Sequence, residues 1–421
     1  MSKPTHRYTP LLSDMHLDIE SSEIRDLLKL TEKDKEIISF AGGLPAIESF
    51  PLNLIPTLTE KAIKKWGSKT VQYGTTEGVT ELREALIDYM AGLGVKVNSI
   101  DEIQITTGSQ QGIHLCGRTL LNPKDGILVA DPTYLAALSV WEEHTENIRD
   151  INTDENGMVM SELERKLKLE PKKPKFIYDV PTFGNPSGIT MSLERRKHLI
   201  ELAEEYSTED HPILILEDDP YSALRYEGKS IPPVKAFDNG KHVVYLGTFS
   251  KTFAPGLRVG FMVGPEDLIK EFSLSKQSLD LCTPALNQYL VTLYLTEGHL
   301  QKQIPKIKRI YKERRDTMLK SIRKEFPKEI KYTEPQGGMF IWTTCPEYID
   351  TKELAKIAAM DWKVAYVSGA SFRVHGQRNN MRLNFSSTPP EKIEIGIKRL
   401  GELLAKEIEK NGNGAEAPAS P

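Results

Sequence analysis

The sequence predicts an α/β fold: a large domain with a mainly parallel, doubly wound sheet flanked by helices, and a smaller α+β domain beside it. Three observations point there. From Glu102 onward, short apolar runs (EIQITT, GILVA, KFIYDV, PILILEDD, HVVYLGTF, VGFMVG) alternate with helical patterns. Such alternation gives a parallel sheet covered by helices on both faces. Several of these runs end in small or polar residues, at the carboxyl end of a strand, where open α/β sheets place ligands. After Gly264 the pattern is helical to about Arg323, and the stretch from KYTEPQGGMFIWTT to MRLNFS mixes strands and helices.

Taken in order, Ser21 and Ser22 precede EIRDLLKL, where Ile24, Leu27 and Leu28 share one helical face while Arg25 and Lys29 lie off it. A serine before an apolar-periodic run is a helix start. IISFAGGLP is a short strand broken by Gly42, Gly43 and Pro45. Adjacent glycines let backbone approach a ligand closely, and a plain turn is the alternative. Leu54 to Trp66 is helical; after VQYGTTEG comes a second helix, ELREALIDYMAGLG, ending on Gly92 or Gly94. Further helices are predicted from Ser109 and from about Leu193 to Tyr206. The division expected is an N-terminal arm and helix (1–50) packing with the small domain, a large domain (51–300), a small C-terminal domain (301–408), and a disordered tail (409–421) ending NGNGAEAPASP.

Bulk properties exclude several classes of function. With 421 residues the chain has room for two or three domains and a large core. Lys and Arg number 55 against 59 Asp and Glu, a net charge of −4, which offers no electrostatic footprint for nucleic acid or an anionic membrane. No apolar run approaches a membrane span, and MSKPTHRYTP lacks the apolar core of a signal peptide. Three widely spaced cysteines, Cys116, Cys282 and Cys345, form neither a disulfide framework nor a zinc pattern, and fit a reducing cytoplasm.

The stretch Tyr245 to Gly264, YLGTFSKTFAPGLRVGFMVG, holds one lysine in a loop of small hydroxyls and glycines, with an arginine shortly after. A lysine amine titrates near 10.4 and becomes a nucleophile at neutral pH only where its surroundings lower that value. Beside an anion site, it suits an imine with an aldehyde cofactor that carries a phosphate: Lys251 for the aldehyde, the hydroxyls and Arg258 for the phosphate. An ordinary surface lysine is the alternative.

Other segments add pieces. In TTGSQQGI, Gly108 allows a tight turn and Ser109 caps a helix, whose N-terminal N–H groups bind phosphate. VPTFGNPSG places Asn185 in a turn at a strand's carboxyl end. LEDDPY ends a buried strand in two aspartates, costly unless paired. An aspartate beside a pyridine nitrogen would keep it protonated, and Tyr221 would donate to a phenolate on the same ring. Metal binding by Asp218 and Asp219 is the weaker reading, since no histidine or third acid is near, and no metal is expected. Tyr134 in ADPTYLAAL suits stacking on a flat cofactor, or else fills a core. Arg382 in MRLNFS, between Met381 and Leu383, needs an anion and suits a two-bond grip on a carboxylate.

Together, in this order and over roughly Ser21 to Leu404, these segments resemble the fold-type I pyridoxal-phosphate (PLP) aminotransferases of class I/II. The resemblance makes TFSKTFAPGLRVG the cofactor-lysine segment, with Lys251 as the imine-forming lysine and Thr248, Ser250 and Arg258 on the phosphate. It assigns Gly108, Ser109 and Gln110 to the phosphate-binding helix start, and Tyr134 to stacking. Asn185 then touches the cofactor hydroxyl and the substrate carboxylate. Its D-x-x-Y pattern selects Asp218, not Asp219, for the pyridine nitrogen, with Tyr221 on the ring oxygen; Arg382 clamps the substrate α-carboxylate. Tyr73 in VQYGTTEG would reach the phosphate of a neighbouring subunit, which makes the active unit a homodimer.

SSEIRDLLKL, SFAGGLP, DPTYLAAL, EDDPYSALRY and LCTP are most similar to the subgroup of aromatic, kynurenine and 2-aminoadipate aminotransferases. There Arg25 approaches the substrate side chain, and the backbone at Gly42 and Gly43 lies near the substrate. The chain departs from that pattern at Gly184, where relatives carry a larger side chain, at Ser368, where proline is usual, and at Arg373, where an aromatic is common. The implied reaction passes an amino group from an aromatic or 2-aminoadipate-like amino acid to a 2-oxo acid, 2-oxoglutarate being expected. Other PLP enzymes on this scaffold, a carbon–sulfur lyase or a decarboxylase, are alternatives, as is a PLP-binding regulator domain; the last needs a DNA-binding helix-turn-helix ahead of AGGLP, where fewer than about fifty residues stand.

Overall fold

The structure, a computed structural model, describes residues 7–13, 23–169 and 172–412. Helix α1 (Glu23–Lys33) starts right after the predicted serine pair, and strand β1 (Ile38–Ser39) follows it. Helices α2 (Leu54–Trp66) and α3 (Thr80–Gly92) occupy their predicted spans. The α/β series then runs β2 (Ile103–Thr106), α4 (Ser109–Leu120), β3 (Gly126–Asp131), α5 (Leu135–Glu142), β4 (Asn147–Asp154), β5 (Gly157–Met158) and α6 (Met160–Leu169). It continues through β6 (Phe176–Asp179), α7 (Leu193–Tyr206), β7 (Leu214–Asp219), β8 (Val243–Thr248) and β9 (Gly260–Val263). Three helices come next: α8 (Glu266–Gln277), α9 (Ala285–Thr296) and α10 (His299–Glu325). The chain closes with β10 (Lys331–Tyr332), β11 (Phe340–Thr344), α11 (Thr351–Met360), β12 (Val364–Ala365), β13 (Val367–Ser368), β14 (Asn380–Asn384) and α12 (Pro390–Gly412).

The large sheet has the order β2-β9-β8-β7-β6-β3-β4-β5. Neighbours from β4 through β8 pair in parallel, and every residue of β3, β6 and β7 is buried. Burial on both faces is why these strands read as unbroken apolar runs. β9 runs antiparallel to both β8 and β2. Its connection from β8, Phe249 to Val259, is too short for the crossover of about a dozen residues or more that a parallel neighbour requires. β4 was not legible as a strand because only Ile148 and Ile151 of its residues are buried. β5 pairs only with Thr153 and Asp154, so the rest of β4 forms the border of the sheet and most of its side chains meet water.

A second sheet, β10-β11-β14-β13, is antiparallel throughout. β1 pairs in parallel with β12, so the segment before residue 50 is tied to the C-terminal part of the chain. α10 lies along α12, and α12 carries on to Gly412, so residues 409–412 of the segment expected to be disordered are helical. The remainder of that tail lies outside the described residues. Among the described residues, no helix is long and apolar enough to cross a membrane. The carboxyl ends of β6, β7 and β8 and the start of α4 meet at one rim, and β14 of the second sheet faces it.

Candidate active site

Lys251 follows β8 directly. Before it, the Thr248 hydroxyl accepts from the Ser250 backbone N–H (3.2 Å) and donates to Ser250 Oγ (2.9 Å), closing the loop on itself. The lysine reaches across to donate from Nζ to the Gly43 carbonyl at 3.0 Å. Burial, joined by the positive charges of Arg382 and Arg258, lowers its pKa to about 8. Folding therefore disfavours the ammonium form. That penalty is complete below about pH 8 and is relieved as pH rises from there toward the ordinary value of 10.5. Discounted for the open side of the cavity, it is about 1–3 kcal/mol. Lys251→Met is expected to stabilise the cofactor-free protein by about that amount at pH 7 and by less at pH 10. Thermal unfolding at the two pH values checks it.

β7 settles the pair of aspartates by alternation, since successive strand residues face opposite sides. Asp219 Oδ2 accepts from the Tyr245 hydroxyl (2.9 Å) and Oδ1 from the Ser222 N–H (2.9 Å), so its carboxylate is occupied. Asp218 points the other way, and its Oδ2 accepts from the Tyr178 hydroxyl at 3.0 Å. Its Oδ1 is buried with no hydrogen-bond partner. Desolvation is the main reason its pKa rises to about 7, with the neighbouring Asp219 adding to it and Tyr178 opposing. A buried acceptor left open in this way calls for an N–H donor, cationic for preference. Tyr178 is held in turn by edge-on packing against Trp141, with ring centroids 4.6 Å apart.

The start of α4 and Arg258 make the anion side. Gly108 has φ 78°, and a Cβ there would lie 2.3 Å from Arg258 Nη2. Only glycine lets the arginine close over the helix N-terminus, where it donates to the Thr107 carbonyl at 3.2 Å. Ser109 and Gln110 occupy the first turn of α4, and the Tyr134 hydroxyl donates to Gln110 Oε1 (3.2 Å). Burial pushes the Tyr134 phenol up to about 12 and moves the Tyr221 phenol up as well, so both remain protonated donors.

From the opposite sheet comes Arg382, 1% exposed. It donates to Asn185 Oδ1 (2.9 Å) and to the Ala41 carbonyl (2.5 Å), and its guanidinium lies between the rings of Phe340 (4.4 Å) and Phe372 (4.9 Å). The two rings hold the fork in one plane. Lys251, Asp218, Tyr221, Tyr134, Asn185, Ser109, Gln110, Thr248, Ser250, Arg258, Arg382 and Gly43 all line a single cavity of about 270 Å³. Gly42 is buried beside Gly43, and Gly108 sits beneath Arg258. Tyr73 is 79% exposed and does not line the cavity; Arg25 lies on α1, its side chain outside the described residues.

Reading the residues had missed Phe340, Phe372 and Tyr178. Tyr178 was findable, because strand alternation in KFIYDV gives it the parity of Ile177's opposite face, next to β7. Phe340 sat in a run read only as a strand, and nothing local marks it.

The departures from the family pattern are explained by their contacts. Gly184 is buried, and a Cβ there would meet Ser187 Oγ and the Val180 carbonyl at 3.1 Å. Ser368 caps the turn after β13 by accepting from the Ala370 N–H and meets Thr351 Oγ1 at 2.9 Å. Arg373 pairs with Asp131 at the end of β3 and donates to Asn380 Oδ1 (3.2 Å), while the Thr133 N–H donates to the Phe372 carbonyl (2.9 Å). These bonds join the loop bearing Phe372 to the loop bearing Tyr134. Their side chains are 12% and 4% exposed, so losing one partner strands the other. Arg373→Ala is expected to cost about 3 kcal/mol of stability and to raise KM for the amino acid about 10-fold, more than it lowers kcat. Thermal unfolding and steady-state kinetics check this, with Arg373→Lys recovering part of both.

A lysine of lowered pKa, an open buried aspartate and an anion cradle around one cavity at the carboxyl edge of an α/β sheet define a PLP enzyme: Asp218 Oδ1 fits a ring N–H, and Gly108, Ser109 and Arg258 fit a phosphate. The chain belongs to the aminotransferases of class I and II, whose family pattern it matches over residues 37–400, and it is a PLP-dependent aminotransferase. It is 44% identical over 415 residues to aromatic-amino-acid aminotransferase 1 of Thermococcus litoralis, covering 97% of this chain and 98% of the relative. Against the 2-aminoadipate transaminase of Thermus thermophilus the identity is 35%, over 92% and 94% of the two chains. The crystal structure of Pyrococcus horikoshii kynurenine aminotransferase, in complex with PMP, superposes with a TM-score of 0.90 at 44% identity, covering 96% of this chain and 98% of that one. The fold is that of aspartate aminotransferase, as expected.

Proposed function

We propose that this aminotransferase takes its amino group from an aromatic or 2-aminoadipate-like amino acid and delivers it to a 2-oxo acid, with 2-oxoglutarate as the acceptor. The observation that carries the reading is the convergence of Lys251, Asp218 and Arg382 on one cavity. When bound, PLP supplies an aldehyde that captures amines and a protonated ring that draws electrons from the substrate α-carbon. Arg382 binds the α-carboxylate through its fork, with Asn185 alongside. Lys251 Nζ, with a pKa of about 8, takes the α-proton as base and returns it as acid. Asp218 Oδ1 would hold a proton on the ring nitrogen, Tyr221 would donate to the ring oxygen and Tyr134 would offer its face to the ring. Gly108, Ser109, Gln110, Thr248, Ser250 and Arg258 would hold the phosphate.

The relatives support the donor class, being named for aromatic amino acids, 2-aminoadipate and kynurenine. Arg25 on α1 would select an acidic donor side chain, and the backbone of Gly42 and Gly43 would border it. The exposure of Tyr73 suits a homodimer in which this tyrosine completes the neighbour's phosphate site. Three free cysteines suit a cytoplasmic setting. A panel of amino acids against 2-oxoglutarate tests the reading. Aromatic donors or 2-aminoadipate should lead in kcat/KM, and Arg25→Ala should reduce 2-aminoadipate selectively. Loss of the amino group as ammonia, or of carbon dioxide, without 2-oxo acid acceptor would instead mean a lyase or a decarboxylase.

A further inference from the structure

Away from the cavity, α4 and the end of α5 bring two imidazoles and a carboxylate together. One ligand atom from each of His114, Glu143 and His144 lies within 4.8 Å of the others, and no other such trio of His, Cys, Asp or Glu occurs among the described residues. None of the three lines the catalytic cavity. We propose that His114, Glu143 and His144 bind one transition-metal dication of the zinc class, with water completing the coordination.

The site is held on both sides. His114 rides on α4, a helix of the core. The turn carrying Glu143 and His144 is fixed by the His144 N–H donating to the Trp141 carbonyl at 2.8 Å. The His144 ring lies against Gly117: a Cβ there would come within 2.7 Å of its Cδ2. Its Nε2 is buried and has no hydrogen-bond partner, a state in which an imidazole nitrogen is open to a ligand. The two rings are 5.8 Å apart between centroids and inclined at 59°, so neither stacks on the other. Arg118, one turn further along α4 from His114, directs Nη2 to Ser278 Oγ at 3.2 Å.

The chemistry selects the metal. Zinc bonds to imidazole nitrogen at about 2.0–2.1 Å and to carboxylate oxygen at about 2.0–2.2 Å, so tetrahedral ligand atoms stand roughly 3.4 Å apart. All three side chains are only partly buried, and binding requires them to rotate inward from their separation of up to 4.8 Å. Two imidazoles favour zinc, nickel, copper or cobalt, whereas magnesium and calcium prefer all-oxygen sites. Such a metal would pin α4 to α5, which sequence reading could not foresee because His114 and His144 are far apart in the chain.

The test uses the PLP-loaded enzyme, dialysed against a chelator and then metal-free buffer. Calorimetric titration with zinc chloride should show one equivalent per chain, magnesium should give no heat of binding, and cobalt should develop visible absorption. His114→Ala and His144→Gln should each weaken zinc binding about 10-fold or more, while Cys282→Ser leaves it unchanged. Circular dichroism of His114→Ala guards against unfolding, and Glu143→Gln, on the surface side, provides a third probe. Absence of a stoichiometric zinc site in the wild type, binding undiminished in both histidine variants, or binding lost with Cys282 would overturn the proposal.

Discussion

Lys251→Ala is expected to reduce turnover by about 10³-fold or more while leaving the fold intact. The side chain ends in the cavity, and its single hydrogen bond runs to the Gly43 carbonyl, so its removal opens space without stranding a charge. What disappears is the lysine amine in the cavity, the group proposed to move the α-proton. A pKa of about 8 matters here, because an exposed lysine would be protonated almost completely at neutral pH and useless as a base. Single-turnover kinetics measure the loss, and borohydride treatment followed by peptide mapping asks whether the cofactor is fixed at residue 251 in the parent enzyme. An alanine variant within 10-fold of the parent would rule out this assignment.

The second large effect belongs to β7. Asp218→Asn is expected to lower kcat by about 10²–10³-fold while the protein still binds PLP. The amide keeps the shape and the bond to Tyr178, but it has no negative charge to set against a protonated ring nitrogen. Burial, with Asp219 beside it, lifts the carboxyl to about 7, so its charged form gains from a cationic partner at Oδ1. Asp219→Asn is the control. It disturbs the bonds to Tyr245 and Ser222, and should cost stability with little change in kcat. Equal losses of kcat from the two variants would undo the distinction between them.

Much of this was legible in the chain. The continuous apolar runs of β3, β6 and β7 announced strands buried on both faces, and Gly108 before Ser109 announced a turn into a helix start. TFSKTFAPGLRVG and LEDDPY pointed to the candidate site, the second because two aspartates ending a buried strand are costly unless paired. What was not legible depended on partners distant in sequence. β4 is too polar to stand out, β9 reversed direction because its connection is short, and Phe340 and Phe372 acquire their purpose only from the guanidinium between them.

The amino-acid sequence by itself determined the layered α/β plan, the lysine, the family's aspartate pattern and the arginine, since periodicity and residue chemistry are local properties. Only the tertiary structure decided which carboxylate oxygen stays open, that Arg373 is committed to Asp131, and how far burial moves Lys251. Those outcomes depend on desolvation and on hydrogen-bond partners, and both are set by which surfaces the folded chain brings face to face.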